Sequence, residues 1–143
     1  IHKAMNMKKK ISLNTSKRHE LVDITESVRK AVRDSKVMDG ICSIYTKHTT
    51  SAITINENDD PKVCEDLIEF LAFVKRGQWK HDTSGRCDRN NGDAHLKSSL
   101  IGPSETIPIE EGDLVLGQWQ NIFFCEFDGP RENREIIISI IRG

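Results

Sequence analysis

Apolar and polar positions alternate weakly over KKKISLNTS (8–16), which predicts an opening strand. The period then changes. In DITESVRKAVRDSKV, Ile24, Val28, Ala31 and Val32 recur at helical spacing, and Asp23 with Glu26 forms a D-x-x-E start signal. Asp39-Gly40 marks a turn, after which GICSIYTKHTTSAITI reads as the longest β-rich run of the chain. Asp60-Pro61 opens a second helix, with Val63, Leu67, Phe70, Leu71 and Val74 on its apolar face. From Gly77 to Gly92 the pattern dissolves into Asp, Arg, Asn and Gly, and loops of that length in compact domains are usually functional. DAHLKSSLIG predicts a short helix stopped by Gly102, with Pro103 just beyond. The remainder reads as sheet: ETIPI, LVLGQWQNIFFCEF and EIIISIIRG, joined by turns at EEGD and DGPRENR.

Strand-rich ends around central helices predict an α+β fold with two or three helices. No repeat, linker or composition shift divides residues 1–143, so they read as a single domain. The first residues, IHKAM, lack a periodic pattern, and residues 1–6 read as a leader ahead of a start at Met5 or Met7. EIIISII at the end implies a sheet face or edge that something covers, a second subunit being the simplest cover.

Composition narrows the class. Hydrophobic residues make up 36% and charged residues 30%, ordinary for a soluble globular chain. The net charge of −1, from 21 basic and 22 acidic residues, lacks the basic excess of a nucleic-acid binder. No apolar run is long enough to span a membrane. Cys42, Cys64, Cys87 and Cys125 are scattered without a C-x-x-C pair, which reads as free thiols in a reducing cytoplasm.

Candidate chemistry gathers at a few places. His2 lies in the leader and His19 in a polar connection. His48 ends a β-run, His81 lies in WKHDTSG and His95 in GDAHLKSS, close to the irregular segment. Three neutral imidazoles and a water make an open zinc site, although hydrogen-bonded surface histidines would leave the same spacing. Glu57, Asp59 and Asp60 follow Asn56, though an Asp before Pro is also an ordinary helix cap. Glu126 places an acid inside the apolar IFFCEF, where it must be paired, protonated or bound. It reads either as a general base or histidine partner, or as one half of an ion pair with an arginine such as Arg134. Lys97, Ser98 and Ser99 beside a helix start suit a phosphate, though no Walker-type loop is present. Trp119, between Gln118 and Gln120, suits stacking on a flat heterocycle or packing in a core.

HTTSAITINEN, WKHDTS, GDAHLKSSLIGPSETIPI and GDLVLGQWQNIFFCEFDGPR, in that order, resemble the YjbQ family, the secondary thiamine-phosphate synthase family. The likeness runs from about Lys9 to Arg142. It implies a β-sandwich-like α+β fold, a homotrimer with clefts near subunit boundaries, and a polar site where His48, His81 and His95 hold a metal. Asn56 and Glu57, Lys97 and Ser98, and Gln120 and Glu126 occupy matching positions of that site, with Trp119 as a platform for a pyrimidine. The implied activity joins a hydroxymethylpyrimidine diphosphate to a thiazole phosphate and releases diphosphate. Lys97, Ser98 and a divalent ion would then stabilise the leaving group. Three histidines favour zinc, whereas magnesium would arrive with the diphosphate. Two other readings accompany it: a zinc hydrolase with Glu57 or Glu126 as base, and a non-enzymatic trimer binding a phosphorylated or heterocyclic metabolite. In every case the expected partner is a small metabolite, with neither nucleic acid nor membrane.

Overall fold

The computed structural model describes residues 5–143. The histidine at position 2 and most of the leader lie outside the described residues. At the described end of that leader, Asn6 accepts a hydrogen bond from the Arg142 amide at 3.0 Å.

Among the described residues, eight strands form two antiparallel sheets. The larger has the order β1-β8-β3-β5-β6, comprising β1 (Met7–Leu13), β8 (Arg134–Arg142), β3 (Gly40–Thr46), β5 (Ser104–Glu110) and β6 (Asp113–Leu114). The smaller has the order β2-β7-β4, comprising β2 (Glu20–Asp23), β7 (Asn121–Glu126) and β4 (Ser51–Asn56). Ile44, Ile136 and Ile138 from the first sheet meet Ile53, Ile122 and Phe124 from the second, with Val28 and Val32 of α1 (Thr25–Ser35) in the same core. On the outer side of the small sheet, Ala52, Cys125 and Phe127 pack with Leu71 of α2 (Lys62–Leu71) and Ala94 of α4 (Gly92–Ile101). These layers explain two apolar patterns. β8 alternates because one face is open, while NIFFCE is apolar nearly throughout because β7 is covered on both faces.

Four helices are present among the described residues, one more than the upper expectation, because Lys80–Thr83 makes a single turn, α3, inside the irregular segment. ELVD, for which the sequence pattern assigns no strand, pairs with β7 and so is one. The long β-run is two strands, broken at residues 47–50 where the chain crosses from the large sheet to the small one. Thr46 and Ser51 bracket that crossing with a 2.8 Å hydroxyl contact. LVLGQWQ is not strand beyond Leu114; Gly117 donates its amide to the Gln120 side chain at 2.8 Å and the segment turns. The apolar face of α2 is only partly covered, with Leu71 buried and Phe70 68% exposed. No helix among the described residues is long and apolar enough to cross a membrane, and all four cysteines are free. Burial pushes the Cys42 and Cys125 thiols up to about 12, which makes them poor nucleophiles.

Candidate functional site

The crossing at residues 47–50 lies beside α4, and two adjoining clefts open there. One, of about 360 Å³, is lined by Tyr45, His48, His95, Ser98 and Pro103 among others. The second, of about 330 Å³, is lined by Lys47, His48, Asn91, His95, Arg131 and Arg134 with Thr49 and Thr50. Lys47, His48, Thr49 and His95 belong to both, so the two imidazoles stand at the junction.

Local sequence explains how these groups arrive. Gly92 lets α3 press on the start of α4: a Cβ there would come within 2.9 Å of the Trp79 Cβ. That approach brings His81 edge-on to His95, with ring centroids 4.8 Å apart. The DGPR turn is pinned likewise, since any side chain at Gly129 would collide with the Lys17 carbonyl. The turn thereby sets Asp128 beneath the cationic cleft, with Arg131 on its wall.

Charge in this region is unbalanced. Lys10 and Lys47 share Glu135, Arg89 and Arg131 share Asp128, and Arg134 pairs with Glu126. Three of these cations, Lys47, Arg131 and Arg134, line the second cleft, and no carboxylate lines it. Asp128 Oδ2 accepts from Arg89, Asn91 and Arg131 at 2.9, 2.7 and 2.8 Å. Burial works to raise the Asp128 pKa, and hydrogen bonds from Arg89, Asn91 and Arg131 outweigh it, holding it below the ordinary carboxylate value.

The histidines are not alike. His48 Nε2 accepts the Glu135 amide at 2.9 Å, which leaves the neutral ring's proton on Nδ1. Burial, then the Arg134 charge, lowers the His48 pKa. His95 is lowered by burial, then by His81, against a raising hydrogen bond to the Thr49 backbone. His81 Nε2 lies 3.0 Å from Asn91 Oδ1.

This donor set does not fit a three-histidine metal centre. A neutral His48 spends its lone pair on the Glu135 amide and carries its proton on Nδ1, and an N–H is no ligand. Among the described residues no three His, Cys, Asp or Glu side chains come together to hold an ion. His81 and His95 remain a pair.

Other expected site residues separate. Glu126 is fully buried, with Arg134 Nε at 2.9 Å, Thr15 at 2.7 Å and the Asp128 amide at 3.1 Å. Burial works to raise its pKa, but bonds from Arg134 and Thr15 overcome it, so the pKa stays low. Breaking a buried pair costs about 3–5 kcal/mol, so Glu126 acts as the counter-ion of Arg134 and not as a base. Lys97 is also buried, 3.2 Å from Asp93 and 3.0 Å from His19, and Arg18 grips Asp93 with two bonds. Its ammonium faces the fold, being four residues from Asp93 on the same helical face. Ser98 lines the first cleft but donates its hydroxyl to the Ala94 carbonyl at 2.8 Å.

Asn56 and Glu57 stand at the far end of β4 from Ser51, and Asn56 pairs with Asn121 at the start of β7. Trp119 and Gln120 immediately precede Asn121 at that same distant end, and Trp119 is half exposed. Neither pair reaches the histidines within one chain. Sequence reasoning missed Lys47, Asp128 and Arg131, although the first adjoins His48 and the others stand in the DGPR turn.

These features define a single-domain α+β protein with a cationic, histidine-bearing cleft at a sheet crossing. Residues 9–143 match the family described as UPF0047 protein YjbQ-like. A UPF0047 protein of Methanocaldococcus jannaschii is 51% identical over 92% of this chain and 92% of its own length. The UPF0047 protein YugU of Bacillus subtilis is 42% identical over 87% and 92%. A YbjQ-like protein of unknown function from Sulfolobus solfataricus P2 superposes with a TM-score of 0.91 at 36% identity, covering 97% of this chain and 99% of that one. The chain belongs to the YjbQ family.

Proposed function

We propose that this protein is an enzyme acting on a small phosphorylated metabolite, of the thiamine-phosphate synthase type. The observation carrying the proposal is a cleft lined by three cations, Lys47, Arg131 and Arg134, with His48 and His95 and with no carboxylate in its lining. Such a lining suits a phosphate or diphosphate anion.

In this reading the thiazole nitrogen attacks the pyrimidine methylene, forming a C–N bond. The C–O bond to diphosphate breaks, and its electron pair leaves with the diphosphate. Lys47 and Arg131 hold the departing charge, and His48 Nδ1–H donates to one of its oxygens. These groups take the role that Lys97 was expected to fill. Magnesium bound to the diphosphate is compatible with this cleft and asks for no dedicated protein cage. The zinc-hydrolase reading rests on the His81–His95 pair and lacks a third ligand among the described residues.

The homotrimer belongs to the same proposal. Ile41 pairs with Ile141 on the open face of the large sheet, both about half exposed, and Tyr45 extends that face to the rim of the first cleft. A second copy seated there would close the cleft. Free thiols support a reducing, cytoplasmic setting.

The test is incubation with hydroxymethylpyrimidine diphosphate, thiazole phosphate and magnesium, measuring thiamine phosphate and released diphosphate. We expect both products in equal amounts from the wild type, and at least a roughly 100-fold loss in His48→Ala, the usual scale for removing one donor to the developing charge. Binding of either substrate without turnover would favour the non-enzymatic metabolite binder. Product formation that survives His48→Ala would assign the activity to a contaminant and contradict the reading.

A further inference from the structure

Asn91 occupies the position before the first turn of α4, where an asparagine side chain ordinarily accepts a hydrogen bond from a helical amide. Here it makes no such bond, and Asp82 takes the Gly92 amide instead at 2.8 Å. The Asn91 side chain, 4% exposed, is spent elsewhere. One end lies 2.7 Å from Asp128 Oδ2 and the other 3.0 Å from His81 Nε2.

Only one orientation satisfies both contacts. An ionised carboxylate can only accept, so the amide nitrogen faces Asp128 and the amide oxygen faces His81. That oxygen can only accept, so His81 Nε2 must carry a proton. The carboxylate is itself fixed by Arg89 and Arg131, whose bonds leave no freedom for the chain of donors to reverse.

We infer that Asn91 is a positioning residue that holds His81 in its Nε2–H tautomer, making His81 Nδ1 a hydrogen-bond acceptor for an N–H or O–H group of the substrate. The two imidazoles thus differ in tautomer: His48 carries its proton on Nδ1, and His81 leaves Nδ1 with a free lone pair, its ring edge-on to His95, which lines both clefts. The last link, to a substrate donor, rests on the enzyme reading above; the tautomer does not. Such a pairing selects a substrate with a phosphate at one end and an amino or hydroxyl donor at the other, and an aminopyrimidine diphosphate meets that description.

Two-bond proton–nitrogen correlation spectra of protein carrying ¹⁵N-histidine test this directly, at a pH where the imidazoles are neutral. We expect the Nε2–H pattern for His81 and the Nδ1–H pattern for His48. Asn91→Ser should leave His48 unchanged and send His81 into exchange between tautomers. An Nδ1–H pattern for wild-type His81, or no change in Asn91→Ser, would overturn the inference. If Asn91→Ser does not fold, the wild-type spectrum still decides, because an Nδ1–H pattern at His81 overturns the inference by itself. Added hydroxymethylpyrimidine diphosphate should shift the His81 Nδ1 resonance. A bound ligand that leaves it unmoved would remove the acceptor role, whereas failure of the ligand to bind would count against the enzyme reading and leave the tautomer intact.

Discussion

His19 lies 3.0 Å from the Lys97 ammonium and 3.2 Å from Arg18, so protonating it would put a third cation beside Asp93. Burial, then Lys97 and Arg18, lowers its pKa from 6.5 to about 4. The unfolded chain therefore takes up a proton near pH 6.5 that the folded chain refuses until about 4. Stability from this group is complete above the unfolded value and is lost as pH falls through that window. His48 and His95 are shifted in the same direction and add to the loss. His19→Asn should make the fall of the urea midpoint between pH 6.5 and 4 shallower, without abolishing it. An unchanged slope would show that His19 is not held neutral. Single residues were also where the sequence was hardest to read. Glu126 announced itself as a buried acid, and its pairing with Arg134 was one of two readings left open. Lys97 looked like a phosphate ligand because its inward direction depends on Asp93 and Arg18, and Arg18 is distant in sequence.

Elements with strong periodicity were legible. The α1 spacing follows from one face meeting a core, and the α4 stop from Gly102, whose φ of 102° leaves the helix. What local pattern could not show was the passage between sheets, because GICSIYT and SAITIN have the same β character on either side of the break. The loop carrying His48 is defined by that break. For the same reason Asn56 and Trp119 were read into one site with His48, although strand length separates the two ends of β4 and β7; five residues of strand span roughly 17 Å. The open face of the large sheet yields a prediction at this scale. Ile41→Lys puts a charge at the centre of the surface proposed to meet a second copy, while adding no charge to the core. Sedimentation equilibrium should report a trimer for the wild type and a folded monomer for Ile41→Lys. A monomeric wild type, or a variant that remains trimeric, would contradict the proposed assembly.

The whole molecule brings together groups from β3 and its following loop, α3, α4, the DGPR turn and the start of β8. No single motif carries the cleft, which is why its histidines were readable as a list and its cations were not. A chain with a net charge of −1 concentrates positive charge at one place. The central claim is that this concentration exists to hold a phosphorylated group. Isothermal titration of the wild type and Lys47→Ala with inorganic diphosphate tests it most directly. The account predicts saturable binding to the wild type, weakened by added salt and reduced about ten-fold in Lys47→Ala, the effect of one charged hydrogen bond. Absence of binding to the wild type, or equal affinity in the variant, would contradict it.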